Sequence, residues 1–81
     1  MNYKAEIRLF LKPGILDVQG RAVEQALRSS GHSVGAVRVL KVLQMDLEAE
    51  TPAAAERELL AVVETLKNPV IEEASFTLEP A

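Results

Sequence analysis

Eighty-one residues without a cysteine and with a formal charge of −3 describe one domain, residues 1–81, that buries only somewhat more than ~60% of the surface its unfolded chain exposes. The composition excludes disulfides, thiolate nucleophiles and cysteine-ligated metals. It also lacks an apolar run near the roughly 20 residues of a membrane span, and its acidic balance suits nucleic-acid phosphates poorly.

From Asn2 to Lys12, Tyr3, Ala5, Ile7, Leu9 and Leu11 share one parity, while Asn2, Lys4, Glu6, Arg8 and Lys12 share the other with Phe10. A period of two predicts a half-buried strand, and the same alternation is unlike a signal-peptide core, so a cytoplasmic protein is expected. Pro13-Gly14 ends the strand, because proline donates nothing to a ladder and glycine permits positive φ. Asp17 can accept from the free N–H groups of a following turn, which places a helix N-cap there. The helix presents Val18, Ala22, Val23, Ala26 and Leu27 as its apolar stripe and ends at Gly31. Gly20 lies in its first turn at a cost of up to ~1 kcal/mol relative to alanine; a close backbone approach and simple tolerance account for it equally well.

After the Gly31–Gly35 loop, Val37, Val39, Leu43, Met45, Leu47 and Ala49 hold one parity. The stretch is long for one strand, so two strands with a reversal near Leu40-Lys41 are expected; those residues are poor turn formers, and one long bent strand is the alternative. Thr51-Pro52 opens a second helix as N-cap and first helical residue, with Ala55, Leu59, Val62, Val63 and Leu66 as its stripe. Asn68-Pro69 stops it, and Val70–Glu79 forms the last strand. The order β-α-β-β-α-β predicts an α+β, ferredoxin-like plan: two helices on one face of a four-stranded antiparallel sheet, strand order 4-1-3-2. Its open face would then carry Phe10, Leu40 and Val42, an apolar patch that predicts oligomerisation through that face or through edge strands.

Chemistry is sparse. His32 is the sole histidine, in a Gly/Ser loop without companions for a zinc site. The serines lack nucleophile motifs, neighbouring Glu72 and Glu73 point to opposite strand faces, and no phosphate-binding glycine fingerprint occurs. Charge is uneven: residues 1–41 carry seven Lys/Arg against three acids, and residues 42–81 carry nine acids against two bases. Solvated faces explain this, and so does a surface for protein partners.

Leu11-Lys12-Pro13-Gly14-Ile15-Leu16-Asp17-Val18-Gln19-Gly20, then Val37-Arg38-Val39-Leu40-Lys41, then Asn68-Pro69-Val70-Ile71-Glu72 together resemble the PurS family, the small subunit of phosphoribosylformylglycinamidine synthase, over essentially the whole chain. Two departures stand out: Val18 replaces the proline that begins the family's helix, and Leu40 replaces a glycine. The resemblance implies a non-catalytic subunit in de novo purine synthesis. It would form a homodimer or tetramer bridging a glutaminase subunit and a large synthetase subunit that uses ATP and magnesium, and would help ammonia pass between them. The chain itself would need no cofactor. Carried over residue by residue, the motif positions are Lys12, Pro13, Gly14, Asp17, Gln19, Gly20, Arg38, Lys41, Asn68 and Pro69. A strand stop, a cap and a helix stop account for Pro13, Gly14, Asp17, Asn68 and Pro69, which leaves Gln19 and Arg38, with Gly20, as the stronger candidates for contact with another chain.

Two other classes compete. A regulatory module binding a small molecule would need a glycine-rich strand-to-helix loop, where Pro13-Gly14 supplies one glycine. An RNA-binding sheet would need stacking aromatics, where only Phe10 is placed.

Overall fold

The computed structural model describes residues 1–81, and alternation in the first ten organises all of it. β1 (Asn2–Leu11) buries Tyr3, Ala5, Ile7 and Leu9, with Ile7 wholly enclosed. β2 (Lys41–Glu48) and β3 (Glu72–Pro80) flank it, both antiparallel, in the order β2-β1-β3. The register opposes Ile7 to Leu43 on one side and to Phe76 on the other, so apolar side chains from three strands share a face.

Two helices separate the strands. α2 (Pro52–Leu66) starts where Thr51 accepts a hydrogen bond from the Ala54 N–H at 3.1 Å, with Pro52 in its first turn. It lays Leu59 and Val63 onto Ala5, Ile7 and Leu9 and buries Ala55 on the same face. Each large side chain enclosed in this way contributes about 1.5–3 kcal/mol through burial. α1 (Val18–Ser29) begins at the Asp17 cap and closes on a Schellman arrangement. There the His32 N–H donates to the Leu27 carbonyl and the Gly31 N–H to the Arg28 carbonyl, with Gly31 at φ +90°.

The four-stranded expectation fails. The sheet has three strands, and the element order is β-α-β-α-β. The neighbours 4-1-3 of the expected order exist, but Val37–Leu40, meant as strand 2, lies outside the sheet. It runs into β2 without the reversal expected at Leu40-Lys41, because neither residue favours the backbone of a tight turn.

The expectation of two helices on one sheet face fails with it. α2 covers the sheet, but α1 adds nothing to the core cluster: Val18, Ala22, Val23 and Ala26 stay exposed and Leu27 is half-buried. Without strand 2 in the sheet, nothing draws α1 back over it. The molecule is correspondingly long, 52 × 27 × 13 Å with a radius of gyration of 16.4 Å, against about 12 Å for a compact domain of this length.

The other sheet face is mostly polar. Lys4 stands opposite Asp46 and Glu79, Glu6 opposite Gln44 and Thr77, and Arg8 opposite Val42 and Ser75. Glu6 pairs with Arg8 at 2.7 Å and accepts from Gln44 at 3.2 Å. Apolar character is confined to one end, where Val42 leads to Phe10 and Leu40.

Candidate functional site

That end of the sheet is where the three sequence motifs meet. The turn after β1 is held from two directions. Lys12 donates its backbone N–H to the Ile71 carbonyl at 2.9 Å and its Nζ to the Pro69 carbonyl at 2.8 Å, which ties the first motif to the third. Asp17 ties the first to the second: Oδ1 accepts from the Gly20 N–H and Oδ2 from the Val39 N–H, both at 2.8 Å. One carboxylate therefore caps a helix and anchors the extended segment before β2.

The consequence for Asp17 is electrostatic. The Val39 N–H, then the Gly20 N–H, hold its carboxyl below the ordinary aspartate range; burial opposes them, and the Arg38 charge adds a lesser push downward. It is ionised at neutral pH and remains a double acceptor.

Gly20 is explained by the same junction. A Cβ there would collide with the Val37 carbonyl oxygen and press on the Asp17 carboxylate, so the first turn of α1 and the chain at Val37 touch backbone to backbone. Of the two readings left open for Gly20, close approach is the one realised, and it lies within the chain. Gly14 has a different reason, φ +86° with open space around it.

The third motif forms a closed knot. Asn68 Oδ1 accepts from the Val70 N–H at 3.1 Å, the Glu72 N–H donates to the Asn68 carbonyl, and the Asn68 N–H donates to Glu72 Oε1, both at 2.8 Å. Pro69 rides on this turn and presents its carbonyl to Lys12.

Between these supports opens a cleft of about 510 Å³ lined by residues 10–15, Asp17, Arg38–Leu40 and Glu73. Lys12, Pro13, Gly14, Asp17 and Arg38 line it, together with Phe10 and Leu40. Lys41 is the first residue of β2, Gln19 and Gly20 lie in the first turn of α1, and Val42 stands on the open face beside Arg8. Arg38 and Gln19 are exposed and make no hydrogen bond or ion pair within the chain. Ile15, Val39 and Glu73 also line the cleft and escaped sequence reasoning. Glu73 was signalled only by following the third motif directly, and Val39 only by lying within the second, which does not reveal its bond to Asp17 across 22 positions. A second hollow, about 490 Å³, lies on the polar sheet face between Lys4, Glu6, Asp46 and Glu79. The cleft offers cations, an apolar wall and fixed backbone, which suits docking of another chain.

Comparison with known proteins agrees in family and in fold. The PurS family model, described as phosphoribosylformylglycinamidine (FGAM) synthase, matches residues 4–80. The chain is similar to phosphoribosylformylglycinamidine synthase subunit PurS of Archaeoglobus fulgidus, at 40% identity over 74 residues, 89% of this chain and 92% of that one. Thermus thermophilus PurS superposes with a TM-score of 0.89 at 43% identity over 100% of this chain and 99% of that one. A Methanocaldococcus jannaschii PurS structure follows at TM-score 0.86 and 28% identity, covering 98% of each. It is described as one of the subunits of formylglycinamide ribonucleotide amidotransferase in the purine biosynthetic pathway.

Proposed function

Since the chain belongs to the PurS family and is thereby a subunit of phosphoribosylformylglycinamidine synthase in purine biosynthesis, we propose that it acts as the non-catalytic bridge of that ligase. In this reading it docks a glutaminase subunit to a large synthetase subunit that uses ATP and magnesium. It helps ammonia pass between them as formylglycinamide ribonucleotide becomes formylglycinamidine ribonucleotide. It works as a homodimer or tetramer in the cytoplasm, and none of its helices is long and apolar enough to cross a membrane.

One observation carries the reading. Lys12 and Asp17 tie three distant segments into a single end, and that end leaves the Arg38 and Gln19 side chains exposed, with no side-chain hydrogen bond or ion pair of their own. A planar guanidinium held on fixed backbone suits bidentate recognition of a carboxylate on a neighbouring subunit. Where such a contact is one of the minority that dominate an interface, its loss costs about 1.4 kcal/mol or more, roughly tenfold in affinity.

Arg38→Ala and Gln19→Ala are expected to fold normally by circular dichroism, lower glutamine-dependent turnover of the reconstituted complex and spare turnover with ammonium as nitrogen donor. Unchanged glutamine-dependent turnover in both variants would refute the assignment of this end.

A further inference from the structure

We infer that the outer edge of β3 is a docking site for a short extended segment of another protein, one with an apolar side chain at its centre and a Lys or Arg three residues to either side. The edge shares only Glu73 with the cleft, and the inference stands without the bridging role proposed above.

The backbone decides where such a segment can pair. In the sheet order β2-β1-β3, one side of β3 has no strand beside it. The phase of its other side is fixed at both ends, where the Lys12 N–H donates to the Ile71 carbonyl and the Ala81 N–H to the Asn2 carbonyl. Both bonds belong to the register that opposes Lys4 to Glu79 and Phe10 to Glu73. Bonded and non-bonded pairs alternate in an antiparallel ladder, so Glu73, Ser75, Thr77 and Glu79 turn their backbone groups toward β1. Glu72, Ala74, Phe76, Leu78 and Pro80 turn theirs outward.

That outward row is closed at its two ends. The Glu72 N–H donates to the Asn68 carbonyl at 2.8 Å, and Pro80 has no N–H to offer. Between them lies a window from Ala74 to Leu78, about 17 Å long, whose outward N–H and C=O groups find no strand in the chain. Charge and proline are the usual means of blunting a sheet edge. Here they stop at the margins of the window.

The side chains say what kind of segment fits. Of the large apolar side chains that the strands turn toward the core, Phe76 alone is exposed, at 37%. It stands at the centre of the window, and an added strand would set one of its own side chains directly against it, where an apolar or aromatic residue gains most. On the opposite face Glu73 and Glu79 bracket the window. Neither enters an ion pair, although Lys4 stands across the ladder from Glu79, and β3 itself contains no Lys or Arg. Each of these acids is three residues from Phe76, so a complementary strand carries its cations three residues to either side of its apolar centre, whichever way it runs. Backbone bonds supply the adhesion of a strand added to a sheet edge and alternate side chains the selectivity. The two carboxylates select against an acidic segment.

The probe is a capped heptapeptide of sequence KVTFTVK, titrated into the isotope-labelled full chain, with EVTFTVE as its charge-reversed control. Saturable shifts and slowed deuterium exchange are expected at the Ala74, Phe76 and Leu78 amides, with roughly tenfold weaker binding of the control. Ala74→Pro removes one outward donor and leaves the ladder to β1 whole, since an edge strand tolerates proline where the N–H faces solvent. It should weaken KVTFTVK roughly tenfold, and Phe76→Thr, which keeps every backbone group, should weaken it likewise. Several results overturn the inference: no saturable shift at millimolar peptide, equal binding of the two peptides, shifts gathered on the amides of β2, or full affinity in Phe76→Thr. So does protection of the three window amides in the chain alone, which would mean that a second copy already holds the edge.

Discussion

Gly20 is where a single added methyl meets the most resistance, because its Cβ would fall on the Val37 carbonyl and the Asp17 carboxylate together. Backbone cannot yield as a flexible side chain does, so Gly20→Ala is expected to destabilise by about 1–3 kcal/mol in urea denaturation and to move the Val37 and Val39 amide resonances. Gly35→Ala, with open space and no positive φ, should stay within about 0.5 kcal/mol of wild type. Equal denaturation midpoints for the two variants would mean that the helix start and the Val37 segment are not packed together in solution. Asp17 supplies the matching pH prediction. Its folded pKa is depressed, so its contribution is present above the unfolded value and is lost as pH falls through the lower folded one. The Gly20 and Val39 amides should hold their shifts throughout the neutral range and move together only in acid below about pH 4; co-titration above that would contradict the double hydrogen bond. The Asp17 cap was legible in the sequence because a cap and the turn it serves are neighbours. Its second partner was not, since Val39 lies beyond the whole of α1.

At the scale of elements, legibility followed the range of the forces involved. Strand β1 and helix α2 were readable because alternation and a Thr-Pro start are local, and tertiary packing then agreed with them. Helix α1 was equally readable as a helix, down to its Gly31 terminus, but its expected burial against its own sheet did not follow. Periodicity tells which face is apolar and is silent about whose core covers it. The same limit explains strand 2. Val37 and Val39 alternate as a strand should but belong to no strand, since a ladder needs a neighbouring edge, and within one chain Leu40-Lys41 does not turn to supply it. The alternative of a single bent run was closer to the structure than the hairpin. Of the candidate site, sequence reasoning found the cations and turn residues but not their convergence. Lys12 meets Pro69 across 57 positions, a contact that becomes visible only once β1 and β3 pair.

The whole molecule carries the remaining consequence. With 8 of 81 residues buried and one helix off the core, the isolated chain has less apolar burial than its length allows, so much of its stability should come from association. For a chain whose folded form is a dimer, stability is linked to concentration by mass action, and each tenfold rise adds about 1.4 kcal/mol per dimer. Spread over the unfolding entropy of two such chains, this raises Tm by roughly 3–6 °C per decade of protein concentration. Calorimetry from a few micromolar to a few hundred micromolar should show that slope. A wild-type Tm flat across two decades would mean that the apolar face of α1 is tolerated in water and that the long shape is the finished fold.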